Sequence, residues 1–160
     1  MMSQLYDIFQ QEPSIENCRQ LSTILYEQLT GHSPTATVKE LVGESKKIGT
    51  YNRLLHTCYI RKLTEPNYML TILGHELCHA QARRWIVTEE EEARVEMFEL
   101  GFAKRLEEMF NAQFLIPLEQ DSLLKPYEAC LIQMDSHELL DRYSRFNLNQ
   151  LDMPTFLKYS

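Results

Sequence analysis

The sequence predicts an α+β fold, and three observations support this prediction. Apolar residues recur at helical spacing over 14–29, β-favouring residues are enriched over 36–63, and helical periodicity returns further along the chain. The 160 residues, of which 44% are hydrophobic and 24% charged, suffice for one buried core. We therefore predict a single domain over 1–160, with its core at about 14–110 and a helical C-terminal extension at about 111–160.

The N-terminal part is predicted to hold one helix and a small sheet. Ser14 can cap a helix that continues to about Leu29, and Gly31 ends the periodic run. Threonine, valine, isoleucine and tyrosine then favour extended structure. Three strands are predicted, at about 35–38, 47–51 and 56–60. Together they indicate a small three-stranded antiparallel sheet.

Two longer helices are predicted after the sheet. Pro66 can open the first, which is predicted over about 67–84. Thr88 can cap the second, and the acidic run Glu89–Glu92 occupies its first turn, where the helix dipole favours carboxylates. This helix is predicted to continue to about Phe110. Beyond it, the proline-interrupted sequence predicts two further elements, a helix at about 126–145 and a short segment after Pro154.

The first of these helices carries the segment His75-Glu76-Leu77-Cys78-His79. Histidines four residues apart project from one face of a helix, so both imidazoles can reach one zinc ion. Glu76 is rotated by roughly 100° from His75 and can accept a proton from a zinc-bound water, whose pKa zinc lowers to about 7. The segment predicts a zinc-dependent hydrolase. The simplest alternative is a surface helix that carries two unrelated histidines.

A catalytic zinc site usually has a third protein ligand. If the two long helices are antiparallel, residues one to two turns into the acidic helix come level with His79, which favours Glu92. Glu96 is the second candidate, and it could instead orient a ligand. The other carboxylates of Glu89–Glu92 are expected to be solvated in a first turn that the helix dipole favours.

The segment Thr71–Ala80 resembles the active-site helix of SprT-like metallopeptidases. The pieces 47–52 and 58–61 are similar to two of their strands, and the resemblance extends over about 14–105. It implies a zincin-like fold, in which an N-terminal helix and a three-stranded sheet precede the active-site helix and a ligand-bearing helix. It also implies zinc-dependent proteolysis by a Glu-activated water, directed in some members at proteins attached to DNA.

The third ligand departs from the SprT-like pattern. Those proteins generally use a histidine soon after the motif, whereas no histidine lies between His79 and His137 in this chain. Glu92 stands thirteen residues after His79, and an acidic third ligand is similar to that of the gluzincins, including the small ImmA/IrrE-type peptidases. The register of those peptidases could also place the ligand at Glu90. The expected zinc ligands are therefore His75, His79 and Glu92.

The composition indicates which classes of partner to expect. The net charge of −7 argues against a broad phosphate-binding surface, so a protein or peptide substrate is expected rather than a nucleic acid. The four cysteines form no CxxC pair, and reduced thiols fit a cytoplasmic protein. No signal peptide is recognisable and no apolar stretch approaches the roughly 18 residues of a membrane helix, so no membrane partner is expected.

Two other functions are kept as hypotheses beside the peptidase. One is a non-catalytic, zinc-stabilised protein-interaction module, and the other is a DNA-associated SprT-like protease. For the peptidase, the strand ending near Ile60 could hold an extended substrate by strand addition. Tyr51, Tyr59 and Tyr68 lie near the predicted site in sequence, where a tyrosine could stabilise an oxyanion, although packing is the favoured interpretation of all three.

Overall fold

The computed structural model describes residues 2–112, 114 and 117–145. The chain divides into two units, Met1–Trp85 and Ile86–Ser160. The described residues form six α-helices and one three-stranded sheet, which confirms the α+β class. None of the helices in this part of the chain is long and apolar enough to cross a membrane.

The first unit begins with two helices, α1 (Met2–Gln11) and α2 (Ile15–Thr30). α2 confirms the prediction: the Ser14 hydroxyl oxygen accepts a hydrogen bond from the backbone N–H of Asn17 at 3.1 Å. Gly31 ends the helix at a φ of 75°, a left-handed conformation that glycine adopts without steric cost. α1 was not predicted, because its sequence offers neither a capping residue nor a long apolar stripe. Its buried residue is Phe9.

The sheet consists of β1 (Thr37–Glu40), β2 (Gly49–Asn52) and β3 (Thr57–Ile60), in the order β1-β3-β2. β2 and β3 form an antiparallel hairpin, whereas β1 pairs with β3 in parallel. Three strands were predicted correctly, but the all-antiparallel sheet was wrong. The most buried strand, β3, takes the central position, while β1 is largely exposed at the edge. Burial rather than sequence order therefore decides which strands are neighbours.

α3 (Pro66–Ala82) packs against the sheet and is buried along most of its length. Pro66 occupies its first turn, as predicted, because a proline at this position loses no helical hydrogen bond. The helix ends at Ala82, and its C-cap is Arg83, whose φ is 48° and whose backbone N–H donates to the carbonyl oxygen of His79 at 2.8 Å. The last helical residue lies two residues before the predicted end.

Gly49 on β2 lies close against α3. A Cβ atom at this position would lie 2.5 Å from the Cγ2 atom of Ile72 and 3.3 Å from the Oε2 atom of Glu76. Gly49→Ala is therefore expected to lower the free energy of unfolding by about 1–3 kcal/mol, the usual cost of overpacking a core. Urea denaturation measures this loss. Thr50→Ala, on the opposite face of the same strand, is the control, and equal losses would contradict the close approach.

The second unit contains α4 (Glu89–Phe110), α5 (Glu128–Leu131) and α6 (Ser136–Arg145). The Thr88 hydroxyl oxygen accepts a hydrogen bond from the backbone N–H of Glu91 at 3.1 Å, which confirms the predicted N-cap of α4. A buried apolar cluster joins α4 to the later elements. Its members are Ala93, Met97, Leu100, Leu118, Leu124, Leu131, Met134 and Leu139.

The single helix predicted at about 126–145 is wrong, because the chain breaks between α5 and α6. Asp135 starts a new helix there: its carboxylate accepts a hydrogen bond from the backbone N–H of Glu138 at 2.8 Å. A 3-10 turn at Lys125–Tyr127 precedes α5. The segment predicted after Pro154 lies outside the described residues, and the single domain over 1–160 stays a prediction.

Candidate metal centre

His75 and His79 lie on the same side of α3. Their Nε2 atoms are 3.2 Å apart, and their ring centroids are 4.9 Å apart with 62° between the ring planes. His79 is 8% exposed, and His75 is half-buried. One turn of helix therefore directs two imidazole nitrogens to a common point that is largely shielded from solvent.

The spacing of the two nitrogens matches what a shared zinc ion requires. Two ligands at about 2.0–2.1 Å from a tetrahedral zinc are separated by about 3.3 Å. The observed distance between the Nε2 atoms is 3.2 Å. Without a metal, the same distance allows one hydrogen bond between the rings, with the donor set by the tautomers. The separation of the two nitrogens is thus compatible with a shared zinc ion.

Glu76 follows His75 in the chain and is 7% exposed. Its carboxylate lies beside Gly49, which has no side chain and therefore leaves space for the carboxylate. Burial, with a smaller contribution from the Glu76 carboxylate, raises the pKa of the Cys58 thiol, so Cys58 stays protonated. Burial of a charged carboxylate raises the free energy of the folded state, and a nearby cation offsets this cost.

Glu92 lies in the first turn of α4 and is half-buried. Within the part of the chain that the structure describes, His75, His79 and Glu92 each offer one ligand atom, and these three atoms lie within 4.8 Å of one another. Glu96, the other candidate, is not in this group. Its carboxylate accepts a hydrogen bond from the hydroxyl of Ser122.

One carboxylate of the acidic run departs from the prediction. Glu91 is 1% exposed, although a solvated position was expected for it. It lies on the same face of α4 as Val95 and Phe98, four and seven residues later, and both are fully buried. The helical register therefore overrides the general preference of a first-turn glutamate for solvent.

A second polar cluster lies at the β2–β3 hairpin. The hydroxyl of Tyr51 is 2.6 Å from the Nδ1 atom of His56, and the Nε2 atom of His56 is 2.7 Å from the hydroxyl of Thr35. His56 has a φ of 47°, in the left-handed region that bulky residues rarely adopt. Burial lowers the pKa of His56, and the charge of Arg83 acts in the same direction. The ring is therefore neutral at pH 7.

Sequence reasoning did not identify this cluster. Thr35 and His56 are twenty-one residues apart, and neither belongs to a recognisable motif. Their contact depends on the parallel pairing of β1 with β3, which the sequence did not predict. The sequence offers Tyr51 as a candidate but does not indicate its partner. Cys78, which lies within the motif, is buried, and His137 on α6 is exposed.

No protein-family model, curated protein or solved structure matches the chain. The family resemblance of Thr71–Ala80 therefore stays a prediction. What the geometry offers is a pair of imidazoles at a distance suited to zinc, with a buried glutamate in the intervening turn.

Proposed function

We propose that this protein is a zinc-dependent peptidase. His75, His79 and Glu92 bind the metal, and Glu76 is the general base. The observation that carries the proposal is the 3.2 Å separation of the two histidine Nε2 atoms, which suits a shared tetrahedral ion. Two imidazoles and one carboxylate form a donor set typical of catalytic zinc, which keeps a fourth position open for water or substrate.

Bound to these residues, zinc supplies Lewis-acid chemistry, since it polarises a carbonyl and lowers the pKa of a coordinated water to about 7. Glu76 removes a proton from the attacking water as its oxygen bonds to the carbonyl carbon, and the π electrons of the carbonyl move onto its oxygen. Glu76 then returns this proton to the amide nitrogen as the C–N bond breaks. The products are a carboxylic acid and an amine, and Glu76 ends unprotonated.

An extended peptide can reach this site along β2. The prediction that the strand ending near Ile60 holds the peptide by strand addition is wrong, because β3 is flanked by β1 and β2. β2 is at the edge of the sheet, and its Gly49 lies against Glu76. A peptide that adds to this edge gains main-chain hydrogen bonds and passes close to the general base.

Metal analysis combined with a protease assay tests the proposal. The purified chain is expected to retain one zinc ion after dialysis against metal-free buffer and to cleave fluorescein-labelled casein. A chelator is expected to stop cleavage, and added zinc to restore it. Protein that takes up no zinc after careful preparation would rule the proposal out.

A further inference from the structure

Positive charge is concentrated in two segments of this acidic chain. Residues 45–64 contain five of the 16 lysines and arginines and none of the 23 aspartates and glutamates. Residues 77–85 contain two further arginines and again no aspartate or glutamate. The first segment includes the β2–β3 hairpin, and the second includes the end of α3. A chain with a net charge of −7 therefore carries a local excess of positive charge in its first unit.

Arg53 connects the two segments. It follows β2 directly, and its Nε atom donates a hydrogen bond to the carbonyl oxygen of Arg83 at 2.9 Å. Its guanidinium carbon lies 3.6 Å from the centre of the Trp85 ring, which is a cation–π contact. Neither contact neutralises the guanidinium. Among residues 2–112, 114 and 117–145, no carboxylate forms an ion pair with Arg53 or Arg83.

Exposed apolar side chains adjoin these two charges. Trp85 is 69% exposed, and the two leucines that follow Arg53 in the hairpin turn, Leu54 and Leu55, are 74% and 63% exposed. Large apolar side chains that are exposed together and bordered by polar residues are typical of interaction sites. We call this set the arginine–tryptophan surface. Its members are Arg53, Leu54, Leu55, Arg83 and Trp85.

Principles of strand geometry and two contacts relate this surface to the candidate metal centre. The backbone N–H of Arg83 donates to the carbonyl oxygen of His79 at 2.8 Å, so Arg83 lies one helical turn beyond a proposed zinc ligand. At the start of β2, Gly49 lies against Glu76. Four residues of strand separate Gly49 from Arg53, which corresponds to about 13 Å. A peptide paired with the edge of β2 therefore reaches the surface about four residues from the bond beside Glu76.

The charge distribution favours a short acidic peptide over an extended polyanion. Nucleic acids and anionic membranes present negative charge over a broad area, and the acidic remainder of this chain repels them. A short peptide has to complement only the local charge, because salt screens carboxylates that lie more than about 8–10 Å away. Apolar side chains of the same peptide gain by being covered by the exposed leucines and tryptophan.

We propose that the arginine–tryptophan surface determines substrate specificity, by binding an acidic and apolar segment of the peptide about four residues from the cleaved bond. Arg53 and Arg83 pair with carboxylates of this segment, while Trp85 and the two leucines contact its apolar side chains. The inference rests on the zinc peptidase activity proposed above, and it adds the substrate class, which the His-Glu-x-x-His motif does not indicate.

The fluorescence of Trp85 tests binding, because Trp85 is the only tryptophan of the chain. Zinc-loaded Glu76→Gln protein, which is expected to leave peptides largely uncut, is titrated with a short unlabelled peptide that contains two glutamates and two leucines. A second peptide has glutamines in place of the glutamates. The glutamate peptide is expected to change the Trp85 emission and to bind about 10-fold more tightly, the combined effect of two exposed charge pairs. Equal affinities for the two peptides would overturn the proposal.

Charge and apolar variants assign the binding to this surface. Arg83→Gln keeps the backbone contact with His79 and is expected to weaken binding of the glutamate peptide about threefold, with no effect on the glutamine peptide. Lys39→Gln, at an exposed position on β1, removes the same charge elsewhere and is the matched control. Leu54→Ser is expected to weaken binding of both peptides, unlike Val42→Ser, whose side chain is similarly exposed. If each variant and its control have equal effects, the assignment is wrong.

Two polyanions test the other possible occupants. Oligothymidylate and vesicles that contain phosphatidylserine are titrated against the same protein at physiological salt. Neither is expected to change the Trp85 emission at concentrations at which the glutamate peptide is bound. If either one saturates the change at a lower concentration than the peptide, the surface binds nucleic acid or membrane, and the peptide specificity is overturned.

Cleavage kinetics separate this inference from the proposed function. Longer versions of both peptides are digested by zinc-loaded wild type, and mass spectrometry identifies the cleaved bonds. The glutamate peptide is expected to be cleaved about four residues from its glutamates, with about 10-fold higher kcat/KM that arises from a lower KM. Equal kcat/KM for the two peptides would overturn the specificity and leave the peptidase in place. Protein that binds no zinc and cleaves neither peptide would overturn the proposed function, and the specificity with it.

Discussion

Glu76→Gln is expected to lower the rate of peptide cleavage by about 10³-fold while the protein still binds one zinc ion. General-base catalysis contributes about 10²–10⁴-fold, and a glutamine cannot accept the proton of the attacking water. The two side chains have nearly the same shape, so the packing of this 7% exposed residue against Gly49 is preserved. The measurement is kcat for casein-derived peptides, with zinc content determined on the same samples.

Glu89→Gln is the matched control for this experiment. Glu89 is an exposed glutamate in the first turn of α4, and its replacement removes the same charge without touching the proposed site. Its activity is expected to equal that of wild type. If Glu76→Gln binds zinc and both it and wild type leave peptides uncut, the metal belongs to a non-catalytic interaction module.

The double variant His75→Ala/His79→Ala is expected to lose zinc completely. Two of the three proposed ligands are removed, and a lone carboxylate binds zinc only weakly. Wild type is expected to be stabilised by zinc, by about 4 kcal/mol when the free ion is at 1,000 times its dissociation constant. The variant is expected to show no such gain. Thermal unfolding with and without zinc measures the difference.

Carboxylate variants then identify the third ligand. Glu92→Gln is expected to weaken zinc binding by at least about 100-fold, whereas Glu90→Gln changes it by less than about twofold. Glu96→Gln is expected to have an intermediate effect if it orients a ligand, since loss of such a partner costs about 10–100-fold. Competition with a fluorescent zinc chelator measures each affinity. If Glu90→Gln or Glu96→Gln has the largest effect, the assignment of Glu92 is wrong and that of the histidines is unaffected.

Features set by local interactions could be predicted from the sequence. Ser14 and Thr88 cap helices because each hydroxyl needs only a backbone N–H three residues away. Gly31 ends α2 because its own conformational freedom suffices. The spacing of His75 and His79 determines that both rings share one side of a helix, and the structure places their nitrogens 3.2 Å apart.

Features set by distant contacts could not be predicted in this way. The central position of β3 and its parallel pairing with β1 both depend on contacts between elements that are distant in sequence. The contacts of His56 with Thr35 and Tyr51 in turn depend on that pairing. Glu91 is buried because of the face it occupies on α4, although its immediate neighbours in sequence are all acidic.

Gly49 also has a consequence for how insertions and deletions are tolerated. A slip of β2 by one residue would place the side chain of Ile48 or Thr50 where only a hydrogen atom fits against Ile72. It would also turn Tyr51 to the opposite face of the sheet, because side chains alternate along a strand. The hairpin length is therefore constrained by the helix beside it. We expect single-residue insertions between Gly49 and His56 to destabilise the fold, even where the turn between the two strands could accommodate an extra residue.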